Sequence, residues 1–123
     1  MKTVLVVDDS AFMRRTMKSI LIRNDYVVVG EATNGVEAVA EYKKLRPDIV
    51  TLDVVMQELD GLGTLKTIMK VNPQANVIMV SSMGQDIIVR DSIIMGAKNF
   101  ILKPFSEEQV VRALDKLGES PIN

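Results

Sequence analysis

Residues 4–14 read VLVVDDSAFMR, and the fold follows from how that stretch divides. Val4 to Val7 is a short, unbroken apolar run rich in β-branched side chains, the pattern of a strand covered on both faces. Asp8 and Asp9 end it abruptly. Ser10, a good helix N-cap, then opens a segment in which Met13, Met17, Ile20 and Leu21 recur at helical spacing as far as Arg23. The stretch is one β-α unit with an acidic turn at its centre.

The same unit recurs along the chain. Further apolar runs lie at Val27 to Val29, Ile49 to Leu52, Val77 to Val80 and Phe100 to Leu102. Asn34 caps a second helix with Val36, Val39 and Tyr42 along it, and Pro47 lies just beyond its end. Leu62 to Val71 reads as a third helix that stops before Pro73, and Gln85 to Met95 as a fourth, stopped by Gly96. Ser106 and Gln109 form a capping box for a fifth, whose apolar stripe is Val110, Leu114 and Leu117. Strands alternating with helices imply an α/β fold, a doubly wound parallel sheet with helices on both faces. Residues 1–123 are expected to form a single domain, with Gly118 to Asn123 as a short polar tail.

Composition removes several kinds of chemistry. The 123 residues include no His and no Cys, so neither a Ser-His-Asp nor a Cys-His centre is possible, nor an ordinary zinc site. No Gly precedes a Lys, which excludes a Walker A loop. A net charge of −1 carries no electrostatic footprint for nucleic acid or an anionic membrane. No apolar run approaches the roughly 18 residues of a membrane span. Zero cysteines fit a reducing cytoplasm, the expected location. The eight methionines read as core filler.

What remains is the placement of polar residues relative to the strands. Asp8 and Asp9 follow strand one, Asp53 strand three, Ser81 strand four and Lys103 strand five. An Asp pair after a strand is usually a cap, and a lone Lys-Pro usually a loop; their occurrence at four strand ends of one sheet is the informative feature. Doubly wound sheets bind ligands outside the carboxyl ends of the strands, where strand order reverses. With the order 2-1-3-4-5 that point lies between strands one and three, and all five side chains converge. Three carboxylates in one pocket repel unless a cation joins them, and an all-oxygen donor set favours Mg²⁺. A carboxylate can also act as a nucleophile towards phosphorus and form an acyl phosphate. Such transfer needs mainly positioning and charge neutralisation, here from a metal, from Lys103 and from the Ser81 hydroxyl.

These residues sit in segments that resemble response-regulator receiver domains: VLVVDDSAFMR at 4–14, DIVTLDVVM at 48–56, Asp60-Gly61, VSS at 80–82 and GAKNFILKPF at 96–105. The resemblance runs in order from about Lys2 to Leu117. It looks closest to chemotaxis CheY-type regulators, and the 2-1-3-4-5 strand order used above is borrowed from CheY, a standard example of it. The resemblance implies that Asp53 is the phosphoacceptor and that Asp8 and Asp9 form the acidic pocket, with Asp9 binding Mg²⁺ directly. It adds the Val55 backbone carbonyl as a metal ligand, Ser81 and Phe100 as the switch pair, and Lys103 as the phosphate-binding lysine. The implied partners are a sensor histidine kinase, a flagellar-motor switch protein or other output target, and a dedicated phosphatase, for a monomer that is not itself an enzyme acting on other substrates. The implied output face includes Asp86, Arg90 and Lys98. One departure is Gln57 after Met56, where the family usually has a loop-restricting proline.

Two alternatives stand beside this reading. The chain resembles the receiver half of chemotaxis methylesterases too, so a receiver excised from a longer regulator, such as a methylesterase or a transcription factor, keeps the site and changes the output. The absence of an effector segment favours a stand-alone switch. A flavodoxin-like cofactor carrier shares the fold, but it would present Asp8 and Asp9 to a flavin phosphate and has only 4% aromatic residues, with no Trp, to stack on the ring. Finally, the resemblance puts the apolar Val55 and Met83 at the two variable family positions that bear on hydrolysis of the acyl phosphate, so slow decay of the phosphorylated state is expected.

Overall fold

In the computed structural model, which describes residues 2–54, 56, 60–82 and 86–118, every apolar run is a strand and every capped segment a helix. The elements in chain order are β1 (Thr3–Val7), α1 (Ala11–Arg23), β2 (Val27–Ala32), α2 (Gly35–Leu45), β3 (Ile49–Asp53), α3 (Gly61–Val71), β4 (Asn76–Ser81), α4 (Asp86–Ile94), β5 (Asn99–Leu102) and α5 (Glu107–Asp115). The strands pair in parallel in the order β2-β1-β3-β4-β5, as expected.

The alternation of side chains along each strand builds two cores. Val4 and Val6 of β1, with Ile49, Ile78, Val80 and Ile101, pack against Met17, Ile20 and Leu21 of α1 and Val110, Ala113 and Leu114 of α5. Leu5 and Val7, with Val50, Leu52, Val77 and Met79, face α2 and α3 through Ala38, Tyr42, Leu65 and Ile68. Both faces of the sheet are therefore dry, which is why the strands read as continuous apolar runs.

The predicted caps are made. The Ser10 hydroxyl accepts from the Met13 N–H at 3.2 Å, and the Asn34 side chain from the Glu37 N–H at 2.8 Å. Ser106 and Gln109 complete their reciprocal box. Gly96 ends the α4 segment with φ +117°, a conformation open to glycine at little cost.

The structure differs from the sequence reading in several details. β2 runs on through Gly30, Glu31 and Ala32, because a register shift between Val4 and Leu5 lets the less apolar half keep pairing with β1. α3 begins at Gly61, one residue earlier than expected, since Asp60 is its cap and accepts from the Gly63 N–H at 2.8 Å. Val36 does not lie on the buried side of α2; it is 57% exposed, and Gly35, Ala38 and Tyr42 turn inward. Gln85, read as the first residue of α4, lies outside the described residues.

Candidate functional site

Register brings the chemistry together. Val7 pairs with Leu52, Asp53 with Val80, and Ser81 with Leu102, so β1, β3, β4 and β5 all end at one level. Asp8, Asp53, Ser81 and Lys103 emerge there within a residue of the strand ends, and Asp9 follows at the mouth. One carboxylate oxygen from each of Asp8, Asp9 and Asp53 lies within 4.8 Å of the others. Asp8 and Asp53 are buried, at 5% and 4% exposure, while Asp9 is open to solvent.

Lys103 supplies the counter-charge. Its ammonium donates to Asp8 Oδ2 at 2.7 Å and stands 3.6 Å from Asp53 Oδ2. Asp8 Oδ1 accepts from the Ser10 N–H at 2.9 Å, so the same serine that caps α1 also anchors the carboxylate. Three carboxylates against one ammonium leave these four groups with two net negative charges, a deficit that suits a divalent cation. The donor set fits Mg²⁺ in chemistry, since every candidate ligand atom is an oxygen. Oxygens at about 2.1 Å from a shared octahedral ion stand about 3 Å apart when adjacent and about 4.2 Å when opposite, so the three carboxylates would draw together around it.

The floor of the site is backbone. The Gly61 N–H donates to the Val54 carbonyl at 2.8 Å, drawing the start of α3 against β3. A Cβ at Gly61 would stand 2.3 Å from the Asp53 carbonyl oxygen. The residue after the Asp60 cap must therefore be glycine for reasons of space.

Residues 4–115 match the family described as the response regulator receiver domain. The chain belongs to that family. Chemotaxis protein CheY of Thermotoga maritima is 52% identical to this receiver over 118 residues, which are 96% of this chain and 98% of that protein. Among solved structures, a CheX-CheY-BeF₃-Mg²⁺ complex from Borrelia burgdorferi gives a TM-score of 0.95 at 36% identity, covering 97% of this receiver and 90% of that chain. The response regulator domain of Thermotoga maritima CheB gives 0.87 at 37% identity, covering 98% and 99%. This receiver is of the CheY type, a class of two-component regulators whose general function is phosphorylation and a consequent change of partner.

The other expected residues fall as follows. Ser81, the last residue of β4, is fully buried. Phe100 is half-buried on β5, packed against the core shared with α2, α3 and α4. Arg90 and Lys98 are exposed, on α4 and before β5. Val55, Gln57 and Met83 lie outside the described residues. No described helix is long and apolar enough to cross a membrane.

Two groups at this site were given no role in it by the sequence reading. Gly61 had a legible signal, an Asp-Gly pair at a helix start, but its neighbour in space is eight residues back. Arg14 of α1 donates through Nη1 to the Asp8 carbonyl at 2.8 Å and through Nε to Glu31 of β2 at 3.0 Å. No local pattern links charges 17 positions apart.

Proposed function

We propose that this receiver takes a phosphoryl group from a sensor histidine kinase onto Asp53 in a Mg²⁺-dependent reaction, and that residues 1–123 act as a single cytoplasmic switch domain in chemotaxis. The observation that carries the proposal is the convergence of Asp8, Asp9 and Asp53 on Lys103 at the carboxyl edge of the sheet. An oxygen of the Asp53 carboxylate attacks phosphorus. The new bond is O–P, and the bond broken joins phosphorus to the donor's imidazole nitrogen, which leaves with the electron pair. Lys103 stands between Asp8 and Asp53 and can turn its ammonium to the incoming phosphoryl oxygens, exchanging its hydrogen bond to Asp8 for one to the phosphoryl group. A Mg²⁺ ion held by Asp9, Asp53 and the Val55 carbonyl, with Asp8 beside it, would neutralise charge on those oxygens. The Borrelia CheY complex, which contains BeF₃ and Mg²⁺, supports that choice of ion.

Ser81 is the proposed sensor of the new group. Its hydroxyl, at the same edge as Asp53, turns to donate to a phosphoryl oxygen, and Phe100 repacks into the space released. Phe100 carries no hydroxyl, so its two states differ by packing alone. The face of α4, β5 and α5 changes with it, and that face meets the output target, a flagellar-motor switch protein in the CheY reading. The 52% identity to CheY across nearly its whole length favours this output over the methylesterase reading, because the 43% identical methylesterase of Alkalilimnicola ehrlichii is matched over only 30% of its own length.

Labelling with a small phosphodonor is the direct test. Asp53→Asn should abolish the acid-stable, base-labile label, and Asp9→Ala should lose most of the rate that Mg²⁺ confers. A fully labelled Asp53→Asn protein overturns the assignment of the acceptor. Output-target affinity that is equal before and after phosphorylation overturns the switch.

A further inference from the structure

The phosphotransfer reading leaves one buried-to-surface network unused, the one behind the acidic turn. Asp8 is held at four points. Its N–H donates to the Ala32 carbonyl of β2 at 3.1 Å, and its two carboxylate oxygens take the Ser10 N–H and the Lys103 ammonium. Its carbonyl takes the Arg14 guanidinium at 2.8 Å. Arg14 is in turn gripped by Glu31 at 3.0 Å, and Lys18 holds the other oxygen of Glu31 at 2.7 Å. The hydrogen bond from Lys18, followed by that from Arg14, keeps the Glu31 carboxyl below the usual carboxylate range, so it stays charged at neutral pH.

Asp9 contrasts with its neighbour. It is exposed, and among the described residues no hydrogen bond or ion pair holds its side chain. The direction in which its Cα–Cβ bond leaves the chain, and so the region its carboxylate can reach, is set by its backbone. The peptide that sets that backbone joins the Asp8 carbonyl to the Asp9 nitrogen, and its oxygen is the atom Arg14 holds. Arg14 is 17% exposed, so the bond is largely shielded from competing water.

We propose that Arg14, gripped by Glu31, is a positioning residue for the metal pocket: it fixes the plane of the Asp8–Asp9 peptide and so presets the Asp9 carboxylate for a divalent cation. This rests on the Mg²⁺ reading above and adds to it a reach from the binding site to the edge strand β2. The contribution has a diagnostic sign. Arg14 is a cation close to a site that binds a cation, so as a mere charge its removal would tighten Mg²⁺ binding. As a positioning group its removal loosens it. Partners that orient a metal ligand are typically worth tenfold or more in affinity, and about tenfold is expected here.

The experiment is a Mg²⁺ titration followed by amide chemical shifts, on the wild-type chain and on Arg14→Ala, Arg14→Lys and Glu31→Gln. It is run at about 0.15 M and again at about 1 M salt, where the screening length falls from about 8 Å to 3 Å. Arg14→Ala should weaken Mg²⁺ about tenfold, with Arg14→Lys between it and the wild type. Glu31→Gln should weaken it by a smaller factor, and each ratio to wild type should persist in high salt. Equal or tighter binding by Arg14→Ala overturns the proposal, as does a loss that disappears at 1 M salt. Should Arg14→Ala not fold, Glu31→Gln decides, and its unchanged affinity overturns the proposal equally. A wild-type chain with no saturable Mg²⁺ site would instead overturn the metal reading, and this inference with it.

Discussion

Replacing Gly61 by Ala adds one methyl group at the point where α3 meets β3. That carbon would stand 2.3 Å from the Asp53 carbonyl oxygen, 2.4 Å from Val54 Cα and 2.9 Å from the Asp53 carbonyl carbon. All three are backbone atoms at the end of the central strand β3 and just beyond it, so none can rotate away as a side chain would. Comfortable separation begins near 3.5 Å, so the first turn of α3 must retreat by about 1 Å. Overpacking of this kind costs about 1–3 kcal/mol. The retreat also stretches the Gly61 N–H bond to the Val54 carbonyl, now 2.8 Å, at a further cost of about 0.5–1.5 kcal/mol. The sum is about 1.5–4.5 kcal/mol. For a domain of this size, each kcal/mol moves the melting temperature by about 4 °C. The melting temperature followed by circular dichroism should therefore fall by about 6–18 °C. The carbonyl that is struck belongs to Asp53 itself, so phosphodonor labelling at a temperature where the variant is folded should slow as well. A melting temperature within about 2 °C of wild type would refute the reasoning, because it would mean that α3 docks without this contact.

Two further expectations concern pH and lifetime. Asp48 is held below its usual range chiefly by the Thr3 N–H at 2.8 Å, and the Thr3 hydroxyl adds to this at 3.1 Å. Its folded-state value is depressed, so the unfolded chain binds more protons, and this contribution, present at neutral pH, is lost as pH falls below about 4; melts of Asp48→Asn should depend less steeply on acid, and a slope equal to wild type would exclude the contribution. Slow loss of phosphate is proposed from the apolar Val55 and Met83, with a dedicated phosphatase to supply the missing polar group. Val55→Asn and Met83→Glu should speed release by up to about a hundredfold, the lower end of what a positioned proton acceptor contributes; a wild type already as fast as both variants would remove the shielding argument.

The sequence by itself determined the order of elements and the chemistry available. Runs such as Val4 to Val7 and Ile49 to Leu52 declare strands because both faces of the sheet are dry, and that demand is written in consecutive residues. Ser10, Asn34 and Ser106 declare helix starts because a cap acts on a backbone N–H three residues away. Asp8, Asp9, Asp53, Ser81 and Lys103 were legible as site candidates because strand ends in a doubly wound sheet lie at one edge. Tertiary structure alone decided what acts across long separations. Lys103 meets Asp8 across 95 positions, and its preference for Asp8 over Asp53 is a matter of 2.7 Å against 3.6 Å. Val36 turned outward while Gly35, Ala38 and Tyr42 turned inward because docking against the sheet sets the rotation of the helix, which local spacing leaves open. Gly61 is required by the Asp53 carbonyl beneath it, and Arg14 is held by Glu31 and the Asp8 carbonyl, neighbours that no nearby residue in the sequence announces. Local patterns record what a residue must do for its own segment; what one segment does for another is set by register and docking, which only the folded chain contains.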